Sequence, residues 1–290
     1  MNILFIAVFD DEGLSTNNSQ ADSFEKNGHT VIRYSYRLAG DKLGTEERDR
    51  DIVDICKSEK PDLTIFAKTN TVDSNVFSEC KKYSKVCYWF CDPLLTYNNK
   101  EFFDKTKECD FFFCDKENVL TKAKEFNENC YLVCEGYDSE VNFPIETDKD
   151  IDVSFIGNLY GEREGIINNL DEFVQIFSNA YGMEHSDIVS RSKINLNFCT
   201  EYGASDRVYK VLASNGFLIS DDWIGRDKYF EDGEDIVIYT DVQDLNEKIS
   251  YYLNNDNERN RISKNGFNKV SKLTRLEWSK NIIDIVGGLI

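Results

Sequence analysis

The chain has 290 residues, 41% of them apolar, and a formal net charge of −19. That length holds two domains as readily as one. So acidic a surface repels nucleic-acid backbones and anionic membranes, which excludes a broad electrostatic grip on DNA or RNA. No apolar run approaches a membrane span. The opening MNILFIAVFDDEG turns acidic where a secretion signal stays apolar, so the expected location is the cytoplasm.

Asn2 to Val8 is a near-continuous apolar run and reads as a first buried strand, with a polar loop after it. Thr16 is placed to cap a helix running to Asn27, and Gly28 ends it. His29 to Tyr36 alternates as a second strand, and Thr45 to Lys60 is a charged amphipathic helix closed by Pro61. Further strands are predicted at Asp62 to Ala67, Lys85 to Cys91, Asp110 to Cys114 and Asn129 to Cys134. Helices near Asp73 to Tyr83, Asn98 to Lys107 and Lys116 to Asn127 separate them. This rhythm means right-handed βαβ units and a parallel sheet. Glu135 to Asp150 breaks it and reads as a linker. A second series then starts: strands at Ile151 to Ile156, Glu172 to Phe177, Lys193 to Phe198, Phe217 to Ile219 and Asp235 to Tyr239. Helices follow at Asp241 to Asn254, Asn257 to Val270 and Leu276 to Ile290. The predicted class is α/β, with two Rossmann-like domains whose parallel sheets face across a cleft. The expected division is 1–140, 141–275, and a last helix, 276–290, packing back on the first domain.

Nine cysteines, several inside apolar runs such as Cys87-Tyr88-Trp89-Phe90-Cys91, read as small buried hydrophobes in a reducing compartment. There is no Cys-x-x-Cys pair and there are two histidines, so no metal site is expected.

The stretch 205–240 carries the site argument. Asp206 to Ser214 has helical spacing, Asn215-Gly216 supplies a positive-φ stop, and Phe217-Leu218-Ile219 is a strand buried on both faces. Ligands of open parallel sheets sit where strands end and helices begin. Arg207 and Lys210 lie on one face of the first turns, where the helix dipole disfavours cations. Either an anion such as a diphosphate relieves them, or they form salt bridges to Asp206 or Asp221. Gly157-Asn158 follows a strand and opens a helix whose first turn holds Arg163, an arrangement suited to phosphate. Lys193 heads a strand and is a further candidate. Asp92 follows the strand VCYWFC before Pro93 and could bind a hydroxyl or act as a base; a turn-forming Asp is the plainer alternative. Asp10, Asp11 and Asp115 occupy equivalent strand ends.

These residues resemble a family. RVYKVLASNGFLISDDWIGRDKYFEDGEDIVIYTDVQDLNEKISYYLNNDNERNRISKNGFNKV is similar to the C-terminal domain of CgeB-like glycosyltransferases, relatives of group 1 glycosyltransferases. Arg207, Ala213, Gly216, Phe230, Gly233, Glu234, Tyr252, Leu253, Arg261, Ile262 and Gly266 fall in place. Upstream, DVSFIGNLYGER, SKINLNF, GYDSEVNFP and YWFCDP look like further segments of the family. The resemblance implies the GT-B fold, with a nucleotide-diphosphate sugar as donor in the second domain and an acceptor in the first. It implies metal-independent transfer, with Gly157, Asn158, Arg163, Lys193, Arg207, Tyr209, Lys210 and Glu234 around the donor. It leaves the acceptor open among glycans, small molecules, proteins and modified DNA. One position departs from the pattern: Lys210 stands where the family has a Glu that binds the donor ribose. Lysine cannot accept those hydrogen bonds, so either Lys210 has moved to the phosphates or the donor differs. A nucleotide-sugar epimerase of the same fold and an inactive nucleotide-binding protein are the rival readings.

Overall fold

The computed structural model describes residues 1–10, 15–94, 99–200 and 203–288. Asp11, the start of the helix predicted from Asn98, and the terminal Ile290 lie outside the described residues. Two compact units form. The first contains Met1–Glu135 together with the last helix, and the second is Gly136–Thr274.

In the first unit, β1 (Asn2–Ala7), α1 (Thr16–Lys26), β2 (Thr30–Ser35), α2 (Tyr36–Leu43), α3 (Thr45–Glu59), β3 (Leu63–Ala67) and α4 (Ser74–Cys80) come first. Then follow β4 (Lys85–Phe90), α5 (Asn99–Glu108), β5 (Phe111–Cys114), α6 (Glu117–Ala123) and β6 (Cys130–Leu132). The six strands are parallel, in the order β2-β1-β3-β4-β5-β6. Alternate residues feed two cores: Leu4, Ile6, Tyr88 and Phe90 on one face, Ile3, Phe5, Cys87 and Trp89 on the other. A sheet covered on both faces explains the continuous apolar runs.

The second unit holds β7 (Ile151–Ile156), α7 (Arg163–Asn168), β8 (Val174–Phe177), α8 (Gly182–Arg191), β9 (Ser192–Asn197), α9 (Asp206–Ala213), β10 (Leu218–Asp221), β11 (Val237–Tyr239), α10 (Val242–Leu253) and α11 (Asp256–Val270). Its five parallel strands run β11-β10-β9-β7-β8. One face is apolar, with Val153, Phe155, Ile194, Leu196 and Ile219. The other is polar yet buried: Ser154 donates to Asn195 (3.1 Å) and Asn197 donates to Ser220 (2.9 Å). The closing helix α12 (Arg275–Gly288) belongs to the first unit, where its fully buried Trp278 packs edge-on against Phe24 and Trp89, both at 5.2 Å.

Some local readings change. Ser15, not Thr16, caps α1, accepting from the Asn17 amide. Asn215, at φ 55°, takes the left-handed turn after α9, so Gly216 is there for another reason. A Cβ on Gly216 would lie 2.5 Å from Val189 Cγ1 and 2.8 Å from Val211 Cγ1. Helices α2 and α8 were not foreseen: neither starts with a side-chain cap, which removes the usual sequence signal.

Gly266, inside α11, presses on the Asp235 carbonyl oxygen, and a Cβ there would also lie 2.8 Å from Leu212 Cδ2. Alanine normally stabilises a helix interior relative to glycine. Here Gly266→Ala is expected to destabilise by about 1–3 kcal/mol in urea unfolding, through overpacking. A stabilised variant would contradict this close α11 contact.

Candidate functional site

In the second sheet, β7 lies between β8 and β9, so the chain leaves β7 to one side and β9 to the other. Crevices open at the carboxyl ends of strands at such a reversal of order. Gly157 follows β7, Phe198 follows β9, and α9 begins a few residues later.

Two arginines meet there. Arg207 donates Nε to the Ile156 carbonyl (2.5 Å) and Nη1 to Asn197 Oδ1 (2.8 Å). Arg163 donates to the carbonyls of Asn158 (3.2 Å) and Phe198 (3.0 Å), and to Thr200 (3.4 Å). Both guanidinium groups lie over the ring of Phe155, at 4.7 Å for Arg207 and 5.7 Å for Arg163, and Arg163 stacks on Tyr160 at 3.9 Å. Among the described residues, neither has a carboxylate within ion-pair distance. Burial, then the like charge of Arg163, pushes Arg207 down to about 10. Two cations are thus held side by side on neutral partners, a geometry whose chemistry suits an anion.

Gly157 is part of this arrangement, though not as a phosphate donor. Its N–H bonds the Phe177 carbonyl (2.9 Å) in the sheet ladder. Its φ of 145° and missing side chain leave room for Arg207 Nη2, which any Cβ would strike. Asn158 is exposed beside it and offers its carbonyl to Arg163.

Four other predicted residues stand elsewhere. Lys193 starts β9, so it sits on the opposite edge of the sheet, paired with Asp152 at 2.6 Å. Glu234 lies in the turn leading into the start of β11 and pairs with Arg261 at 2.5 Å. Tyr209 is 3% exposed with its ring 6.3 Å from Phe230, so it packs α9 and does not line the rim. Lys210 is bound by Asp206 at 2.5 Å, the salt-bridge alternative and not the phosphate one. An acid in the first turn suits the dipole and offsets the lysine.

The first unit reverses its strand order between β1 and β3. At the carboxyl edge, Asp92 pairs with Lys68 at 2.7 Å. The nearly buried Asp115 pairs with Lys116 (2.8 Å), which also donates to the Cys91 carbonyl (2.6 Å). Asp10 accepts from the Ser15 amide (2.6 Å), a bond to the residue that caps α1. The loop after β3 is unusual: Lys68 and Thr69 are consecutive left-handed residues at φ 62° and 48°. Two fully buried cations hold it, Lys105 donating to the Thr69 carbonyl (2.6 Å) and Arg48 to Thr71. Strain of this kind gathers at functional sites.

HepE of Anabaena, solved in complex with UDP and glucose, superposes with a TM-score of 0.75 at 10% identity, over 99% of this chain and 100% of that one. The chain has the GT-B fold. Sucrose-phosphate synthase of Thermosynechococcus elongatus gives a TM-score of 0.71 at 9% identity, over 100% and 99% of the two chains. A glycosyltransferase of Rickettsia africae gives 0.70 at 12% identity, over 98% of each. Residues 144–280, a little under half of the GT-B chain, match a family described as Glycosyl transferase-like. No curated protein sequence matches.

Sequence reading missed two buried polar residues of the second unit, one of which, Asn197, touches Arg207. Asn197 is fully buried at the end of β9 and orients Arg207, while its Oδ1 also accepts from Ser205, the residue preceding α9 (2.8 Å). A polar residue repeated in an otherwise apolar strand, Asn195 and Asn197, was the available signal. His185 of α8 is also buried, with Nδ1 unpartnered. Burial, then the charge of Lys210, lowers His185 to about 3.

The folded chain therefore keeps His185 neutral, whereas the unfolded chain protonates it below about pH 6.5. Stability is full above that value and falls as pH drops toward 3, by up to about 1.4 kcal/mol per pH unit. Urea unfolding between about pH 6.5 and pH 5 should show a shallower slope in His185→Gln than in wild type. Equal slopes would mean that the histidine is already charged in the fold.

Proposed function

We propose that this chain is a glycosyltransferase that moves a sugar from a nucleotide-diphosphate donor to an acceptor hydroxyl. The observation that carries it is the pair Arg163 and Arg207, held on Phe155 at the switch point with carbonyl and amide partners. A diphosphate leaving group develops charge as the glycosidic bond breaks. Preorganised guanidinium groups stabilise that charge without rearranging. With two such cations in place, the reaction is read as metal-independent, and chelator should leave transfer unchanged. The UDP-glucose complex of HepE makes that sugar nucleotide the first donor to test.

The acceptor belongs to the first unit in this reading. Lys68 holds Asp92, whose carboxylate would take the hydroxyl proton. The acceptor itself is unassigned among glycans, small molecules, proteins and modified DNA. The cytoplasm remains the proposed location; among the described residues, no helix is long and apolar enough to cross a membrane.

A second reading rests on Lys210. Its ammonium is tied to Asp206, and no carboxylate stands at the position that the resemblance assigns to ribose binding. An inactive nucleotide-binding protein would show the same feature. Labelled UDP-glucose with mixed acceptors separates the two: transfer or hydrolysis supports the enzyme, binding alone supports the second.

Arg207→Ala should weaken UDP binding by about ten- to a hundredfold, since a charge-assisted bond contributes about 1.5–3 kcal/mol. Affinity for uridine, which lacks phosphate, should hardly change. Arg207→Lys should recover only part, because lysine keeps the charge but not the planar fork. Calorimetric titration reads all three. A folded alanine variant that binds UDP like wild type would reduce Arg207 to a structural residue.

A further inference from the structure

The opposite edge of the second sheet carries a cavity of about 550 Å³ that the site above does not use. Its walls come from the segment leading into β7, the start of β9, the end of α9 and the side of α11. Lys193 belongs to this wall and starts β9, while Asn197 ends that strand at the donor rim. At ~3.3 Å per residue the two edges are roughly 13 Å apart, so this is a separate place.

The charged side chains facing the cavity are Lys149, Lys193, Arg259 and Lys264, against the single carboxylate of Glu146. Two of the cations are compensated from outside it: Lys193 by Asp152 at 2.6 Å and Arg259 by Asp256 at 2.5 Å. Lys149 and Lys264 are not paired with a carboxylate among the described residues. Lys149 is held in place, donating Nζ to the carbonyls of Ser190 (2.9 Å) and Ser192 (2.8 Å). An ammonium has three donors, so one is left for a further acceptor. The amide of Asn215 and the hydroxyl of Ser263 add neutral hydrogen-bonding capacity. In a chain of net charge −19, a cavity with this balance runs against the general field.

We propose that this cavity is a second anion site, distinct from the switch-point rim, that takes a small phosphate-bearing molecule. Lys264 and the third donor of Lys149 contact the phosphate, and the serine and asparagine side chains complete its shell. Burial, with the charge of Arg259, lowers Lys149 to about 8, and a bound anion relieves that strain. The cavity shares no lining residue with the switch-point rim, so its occupant is separate from the donor.

Calorimetric titration of the full chain with inorganic pyrophosphate tests this. Two binding events are expected in wild type. Lys264→Gln, an exposed position where the fold is retained, should weaken one event by about tenfold and leave the other. Lys149→Gln should weaken the same event, and Arg207→Ala only the other one. If the sole event survives Arg207→Ala yet falls in Lys264→Gln, the cavity stands and the donor reading fails. The proposal is overturned if wild type shows no event, if its only event is lost in Arg207→Ala, or if both lysine variants bind as wild type does.

Discussion

The second unit depends on one constraint: Arg207 must lie flat between Phe155 and the open space at Gly157. Its Nε and Nη1 are fixed by Ile156 and Asn197, so the remaining nitrogen has one place to go. A side chain at position 157 would occupy that place. Asn197 is fixed in turn by Ser205 and Ser220, which ties strand, cap residue and neighbouring strand to one guanidinium. The buried polar face of the sheet thereby supports the site. Fully satisfied networks of this sort define one geometry, whereas a half-satisfied one is destabilising.

The fold was readable because its signals are local and repeated. Apolar strands of similar spacing, alternating with amphipathic helices, leave few arrangements besides two parallel sheets. Helices α2 and α8 escaped because their starts lack capping side chains, and α8 opens on Gly182 in a left-handed conformation. The site was legible only in part. Arg163, Arg207 and Gly157, singled out from their place after strands, come together in the structure. Lys193 near the head of β9 and Glu234 ahead of β11 stand at the amino ends of their strands, away from the two arginines. Tyr209 was misplaced because helical phase decides whether an aromatic ring meets ligand or core. Asn195 and Asn197 stand out as polar residues in an apolar strand, but the role of Asn197 comes from three-dimensional neighbours eight and more residues away.

The first unit shows the same economy on a different chemistry. Its rim after β3, β4 and β5 is built of ion pairs, Lys68 with Asp92 and Lys116 with Asp115, over fully buried Arg48 and Lys105. Buried cations are tolerated where hydrogen bonds surround them, and here they hold a left-handed Lys68-Thr69 turn in place. Such a turn is disfavoured by about 1–3 kcal/mol per residue, so the underlying contacts must over-determine it.

The central claim is that two guanidinium groups without carboxylate partners among the described residues make the diphosphate site. A crystal structure of the chain with UDP tests it most directly. The account predicts diphosphate oxygens within about 3 Å of Arg207 Nη2 and of the Arg163 guanidinium, beside Gly157. A well-ordered UDP whose phosphates lie away from both arginines, with Arg207 still on Ile156 and Asn197, would contradict it.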